Sequence, residues 1–177
     1  MPALINSDDF KEYSSIVSAT SDDRIDQLIP MVSDLVKTYC GRTFIDGYNK
    51  QTREFIELEQ YADSGGTIFV TEDPLLEVVS VEVDGVDHTN YKVYRQKSAV
   101  FVDTTAVGPE IVKITYKGGY AKTPPDLKLA LLDLMAYYFK NEQVPRKTQG
   151  NTVVEFIHDS NMPYHIRRVL DLYRIIM

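Results

Sequence analysis

The chain has 177 residues, 44% of them hydrophobic and 25% charged, with a formal net charge of −7 and a sequence pI of about 4.9. These values describe a globular protein large enough to bury a core without staples. A single cysteine excludes an internal disulfide and a multi-cysteine metal site, and it permits a reducing compartment. The acidic balance lacks the basic footprint of a DNA-wrapping protein. No apolar run approaches the roughly 20 residues of a membrane span, and the start MPALINSDDFKEY has no signal-peptide pattern. The charge is uneven. From Lys140 onward six basic residues face four acidic ones, leaving +2, while the remainder carries −9. A solvated helix face accounts for that positive end, and so does head-to-tail docking of subunits.

Asn6 to Ser18 reads as a short helix behind an Asn6 or Ser7 cap. In the next segment Ile25, Leu28, Ile29, Val32, Leu35, Val36, Tyr39 and Cys40 recur at the spacing of one helical face. Ser21 is the expected cap, and Asp22 and Asp23 suit the positive end of the helix dipole. Pro30 removes one intrahelical hydrogen bond and predicts a kink or a later start. Gly41 sits where a left-handed C-cap belongs. Cys40 then lies on the apolar face in the last turn, a small buried hydrophobe rather than a nucleophile or metal ligand.

From Arg42 to Tyr120 the pattern becomes that of strands. REFIEL (53–58), TIFVT (67–71), YKVYR (91–95), AVFVD (99–103) and IVKITY (111–116) are short and rich in branched or aromatic residues. Val79, Val81 and Val83 alternate with polar residues, as in a half-buried strand. Asp84-Gly85, Gly65-Gly66, Gly118-Gly119 and Gly108-Pro109 punctuate the region as turns. Helix returns at TPPDLKLALLDLMAYYF, with Thr123 as the cap and Pro124 in the first turn. Leu127, Leu131, Leu134 and Tyr138 mark one face, and Leu129, Leu132, Met135 and Phe139 broaden it. Asn141 to Met162 is a long polar connection with one strand predicted at Val153 to Ile157. Pro163 opens a last helix with Ile166, Val169, Leu170, Tyr173 and Ile176 on one face.

The expected fold is therefore α+β. N- and C-terminal helices (6–41 and 124–177) form one bundle, with an antiparallel β region (42–120) inserted. The whole of 1–177 is expected to act as a single domain.

No catalytic motif emerges. Gly65-Gly66-Thr67 precedes a strand rather than a helix, so it is a turn and not a phosphate loop. KGGYAK (117–122) is likewise a turn. Asp84, Asp87 and His88 fit a polar hairpin tip better than a metal site. The three histidines show no paired spacing, no GxSxG or SxxK occurs, and Glu57 with Glu59 belongs to a solvent-facing strand edge. No cofactor or metal is expected. Twelve tyrosines against no tryptophan suit interfaces and core alike.

Four phrases in order carry a resemblance: YCGRTF at Tyr39–Phe44, PLLEVV at Pro74–Val79, YKGGY at Tyr116–Tyr120, and PDL at Pro125–Leu127. Together they make the chain similar, from about Ile25 to Arg174, to the head–tail connector (adaptor) proteins of tailed bacteriophages. Pro30 and the long polar connection depart from that pattern. The resemblance implies a structural, non-enzymatic role in a ring, commonly of twelve subunits. Such a ring binds beneath the portal protein, extends the DNA channel and offers a docking surface to a stopper or tail protein. Genomic DNA would pass without sequence-specific binding, and the acidic body would keep phosphates from sticking. The location implied is the head–tail junction of the virion, after assembly in the host cytoplasm. The expected interface is the C-terminal segment, with Arg146, Lys147, Tyr164, Arg167, Arg168, Tyr173 and Arg174 as its residues. The strand region would face outward or toward the tail. The alternatives are a stopper or tail-completion protein of the same neck, and a small-ligand-binding module.

Overall fold

The computed structural model describes residues 2–58, 65–104, 110–141, 146–149, 152–155 and 162–175. The fold is α+β. By contact the chain divides into two compact units. One comprises Met1–Gly41 and Thr123–Met177, the other Arg42–Lys122.

The first unit is helical. Helix α1 (Ser7–Ser14) starts at a reciprocal cap: the Asn6 side chain accepts from Asp9 N at 2.8 Å, and the Asp9 carboxylate accepts from Asn6 N. A 3-10 turn (Ala19–Ser21) leads into α2 (Asp22–Cys40). Ser21 precedes α2 as expected, but its side chain makes no capping bond. The helix also runs unbroken through Pro30. Pro30 and Asp26, whose carbonyl it cannot serve, both lie on the exposed side, where solvent tolerates the loss. Ile25, Leu28, Ile29, Val32, Val36 and Cys40 are buried as the periodicity requires. Leu35 is not; it stands exposed, and its expected place in the core is taken by Ser33 and Lys37. These two are buried because the N-terminal strand of chain satisfies them. Ser33 Oγ accepts from Leu4 N at 3.1 Å, and Lys37 Nζ donates to Pro2 O at 2.7 Å. Gly41 ends the helix at φ 71°, as expected.

Helix α4 (Pro125–Asn141) starts one residue later than Thr123 and Pro124 suggested. The Thr123 hydroxyl donates to Leu4 O at 2.6 Å instead of capping, and Pro125 takes the first helical position. Leu127, Leu131, Leu134 and Met135 are fully buried, each stabilising by about 2 kcal/mol. Leu129 is exposed, so the helix buries one broad side rather than its whole circumference. Helix α5 (Tyr164–Asp171) buries Ile166 and Leu170. It is shorter than expected: Tyr173 lies in a turn beyond it, and Ile176 is outside the described residues. Cys40 is fully buried, with Sγ 3.6 Å from the Leu170 carbonyl. The polar connection carries two strands rather than one, a hairpin of β8 (Arg146–Gln149) and β9 (Thr152–Glu155). The predicted strand end at Phe156 and Ile157 lies outside the described residues.

Among the described residues the second unit contains a short helix α3 (Asp46–Asn49) and seven strands: β1 (Thr52–Leu58), β2 (Gly66–Phe69), β3 (Leu75–Val83), β4 (Val86–Asp87), β5 (Tyr91–Tyr94), β6 (Ala99–Val102) and β7 (Glu110–Gly118). They form two antiparallel sheets of order β1-β7-β3-β4 and β2-β6-β5. Alternate residues of both sheets (Ile68, Val81, Val100, Val102, Val112, Ile114 and Tyr116) meet in one core. Asp84 (φ 50°) and Gly85 (φ 79°) close the β3–β4 hairpin. Of the three valines expected inside β3, Val81 is buried, Val83 half-buried and Val79 exposed. Register shifts at Leu75/Glu77 and Val78/Ser80 break the strict alternation. Glu59 and Gly108-Pro109 lie outside the described residues.

Three of the four phrases converge in this unit on a buried carboxylate. Glu72 is 3% exposed. It accepts from Thr43 N at 2.6 Å and Phe44 N at 3.1 Å. Arg42, also buried, donates to the Asp73 carbonyl and stacks 5.3 Å from the Phe44 ring. Tyr120 N donates to Phe44 O at 2.7 Å, and Gly119 N to Pro74 O at 3.0 Å. A side chain on Gly119 (φ 90°) would fall 2.3 Å from Phe44 O, so only glycine fits that crossing. Beside it, Tyr116 donates to Glu54 and accepts from Glu72 N at 3.0 Å. Thr71 N donates to the same Glu54 oxygen at 3.0 Å.

Replacing Glu72 by Ala strands two buried N–H donors. The expected loss is about 3 kcal/mol of unfolding free energy in urea titration. Burial, and next the bond to Glu54, push the Tyr116 phenol well above its ordinary value of 10.0. Above pH 10 the unfolded tyrosine ionises while the native one keeps its proton. The unfolded state then binds fewer protons, and stability falls as pH rises. A Tyr116→Phe protein should show a shallower fall between pH 10 and 11 in the same titration.

Candidate interaction surface

The expected interface residues fall on two elements. Arg146 and Lys147 sit on β8, paired in register with Glu155 and Val154. The other five lie at or just beyond α5. Tyr164 opens that helix with its side chain 73% exposed, the Arg168 guanidinium 5.8 Å from its ring. Tyr173 is half-buried and donates to Asp126 Oδ1 on α4 at 2.6 Å.

Arg167 and Arg174 are brought together by a residue that sequence reasoning placed in the core. Tyr39, at the end of α2, is half-buried and donates to Asp171 Oδ1 at 2.5 Å. It accepts from Arg167 Nε at 3.3 Å, and the Arg174 guanidinium lies 5.3 Å from its ring centre. The bond to Tyr39, more than the nearby charges, raises the Arg167 guanidinium further above its already high value. The result is an exposed cluster with two guanidinium groups held in fixed positions and one carboxylate between them. Leu172, 80% exposed, stands at its edge. The helical period alone cannot separate such a half-buried tyrosine from a core one, and Arg167 and Arg174 are more than 120 residues away in sequence.

The same unit has an open groove of about 640 Å³ between the end of α1 (Tyr13, Ser14, Ser15), α4 (Asp133, Ala136, Tyr137, Lys140) and the start of α5 (Pro163, His165, Ile166). Tyr13 donates a short hydrogen bond to Asp133, and this bond, more than burial, raises its phenol above the ordinary value. His165 is exposed and 4.0 Å from Asp133, beyond hydrogen-bond reach. The groove offers polar contacts, not an aligned nucleophile and base. Among the described residues no cluster of three or more His, Cys, Asp or Glu could hold a metal ion. Asp84 is occupied as a hairpin residue, its carboxylate accepting from Ile111 N at 2.9 Å. His88 Nε2 lies 2.9–3.0 Å from the carbonyls of Asp103 and Asn90. No helix among the described residues is long and apolar enough to cross a membrane.

The sequence pattern of the head completion protein family matches residues 3–176, and the chain belongs to that family of structural phage head–neck proteins. It is 22% identical over 173 residues to the head completion protein of Escherichia phage T5, covering 97% of this chain and 98% of that one. In structure it is similar to a chain from the neck of an empty gene transfer agent particle treated with C6 symmetry. That match has TM-score 0.58 and 13% identity, and covers 98% of this chain and 91% of the other. A chain from the neck of the native particle, with C12 symmetry, gives TM-score 0.50 and 11% identity over 99% and 95%.

A Tyr39→Phe protein keeps the ring under Arg174 but loses both hydroxyl bonds. The expected cost is about 1 kcal/mol or less, because the cluster is largely exposed. Thermal unfolding should therefore shift by a few degrees at most.

Proposed function

We propose that the chain is an adaptor-ring subunit at the head–tail junction of a tailed phage. In this reading it binds beneath the portal, extends the DNA channel and presents the surface on which a tail or stopper protein docks. The observation that carries the reading is the family match across residues 3–176, which spans both compact units, so that 1–177 acts as one connector domain. The gene transfer agent necks add support, since those particles were treated with sixfold and twelvefold symmetry, and a twelve-membered ring is the stoichiometry we favour. A net charge of −7 suits a wall past which DNA slides without sticking.

The portal contact is assigned to the C-terminal segment. Tyr164, Arg168, Leu172 and Arg174 are exposed there, and Arg167 and Arg174 are steadied on Tyr39. Guanidinium groups held in place lose little side-chain entropy on binding, which favours them over free lysines as contact points.

Particles assembled with this gene disabled should appear in electron microscopy as heads beside separate complete tails; normal joined virions would refute the proposal. Removing 164–177 would also delete the core residues Ile166 and Leu170, so surface changes test the segment more cleanly. Arg168→Glu with Arg174→Glu should leave the circular dichroism spectrum unchanged. It should also lower the fraction of heads carrying the protein by about tenfold or more. Undiminished attachment would move the portal contact elsewhere.

A further inference from the structure

The outer face of the three-stranded sheet in the second unit is both aromatic and basic. In register, Phe69 and Tyr94 flank Ala99, and Thr67 and Lys92 flank Phe101. Phe69, Tyr94, Thr67 and Lys92 have the opposite parity to the core residues Ile68, Val100 and Val102 and are exposed, while Ala99 between the two rings is fully covered and Phe101 half-covered. Phe69 is 67% exposed and Tyr94 44%. Lys92 on this face and Arg95 and Lys97 in the β5–β6 turn are exposed, and none forms a salt bridge with a described residue. The one acid on the face, Asp103, is engaged by Asn90 Nδ2 at 2.9 Å. Two exposed rings and Lys92 share this face, and Arg95 and Lys97 follow in the adjoining turn, a local basic run in a chain of net charge −7.

The first unit carries the opposite pattern. Along α2, positions 23, 26, 27, 30, 31, 34, 35 and 38 are all exposed and form one continuous stripe at helical spacing. The stripe holds Asp23, Asp26 and Asp34, none in a salt bridge with a described residue. Between them stand Pro30, Met31 (66% exposed) and Leu35. Three carboxylates around an apolar strip match three cations around an aromatic strip, in sign and in number.

We infer that the acidic outer face of α2 in one copy of this chain docks on the aromatic and basic outer sheet face of the next copy. The contact uses two different patches. Each copy therefore offers α2 to one neighbour and the sheet to the other, the head-to-tail arrangement that closes into a ring. Met31 and Leu35 against Phe69 and Tyr94 supply the apolar centre, and the charges set register and exclude the reversed pairing. The inference rests on the ring reading above and specifies its subunit junction. DNA is the weaker occupant, because duplex phosphates would engage the cations but leave the rings uncovered.

The test places cysteines at Met31 and Tyr94 in one chain. Native Cys40 is fully buried and does not compete for reagent. Purified particles treated with a short bismaleimide should yield a ladder of covalently joined copies, and neither single-cysteine protein should. Particles that carry the protein at normal level but give no ladder overturn this junction and leave the connector reading standing. Particles made with the unsubstituted chain that lack the protein altogether overturn both. A charge swap gives an independent check. Lys92→Glu with Lys97→Glu should lower the yield of joined particles about tenfold, and adding Asp26→Lys with Asp34→Lys to the same chain should restore it. Asp23 is left in place because it faces the positive end of its helix. If the four-fold variant folds by circular dichroism but yield does not recover, the pairing is wrong. A fall in affinity for duplex DNA, with yield unchanged, would likewise reject it in favour of the nucleic-acid reading.

Discussion

A carboxylate buried without a neighbouring positive partner survives only if backbone donors replace its water, and Glu72 satisfies that condition with the amides of Thr43 and Phe44. This arrangement ties the chain that enters the strand unit to the segment that feeds β3. Gly118 and Gly119 at the end of β7 must then pass so close that a side chain would strike the Glu72 and Phe44 carbonyls. Arg42 closes the same corner on Asp73, and Ser98 closes it from the other sheet, donating to the Asp73 carboxylate and accepting from Leu75 N. Entry, middle and exit of the unit are thus held at one place.

That corner gives three short, separate phrases of the sequence one shared structural job. YCGRTF straddles the boundary between the two units. Cys40 ends α2 in the helical core, Gly41 turns the chain at positive φ, and Arg42 to Phe44 anchor the strand unit. YKGGY makes the reverse passage: Tyr116 sits in the sheet core, the glycines allow the crossing, and Tyr120 N returns to Phe44. Each phrase is weak as a motif because its job is local. Their joint occurrence is specific because the jobs meet.

The two units also divide the surface chemistry. The helical unit spends its polar side chains on satisfying its own burial, at Ser33, Lys37 and Thr123, and leaves α2 acidic outside. The strand unit places its unpaired cations beside exposed rings. In the proposed ring such segregation would direct assembly: like faces repel and unlike faces attract, so a modest contact repeated at every junction would suffice.

Periodicity determined a good deal by itself. The α+β class, the order of helices and strands, the burial of Cys40, the glycine cap at Gly41 and the Asp84-Gly85 turn all follow from local spacing and backbone preference, which act over a few residues. Tertiary structure decided the rest. Leu35 and Leu129 satisfy the helical period as well as their buried neighbours do; only the absence of a partner element on that side exposes them. Lys37 and Ser33 go inside because residues 2–4 happen to bring acceptor and donor to them, from about 30 positions away. Val79 leaves the core through a register shift that alternation cannot foresee. The same limit governs function. The basic character of the C-terminal segment was visible in composition, but the pairing of Arg167 and Arg174 on Tyr39 depends on which distant residues the fold brings side by side.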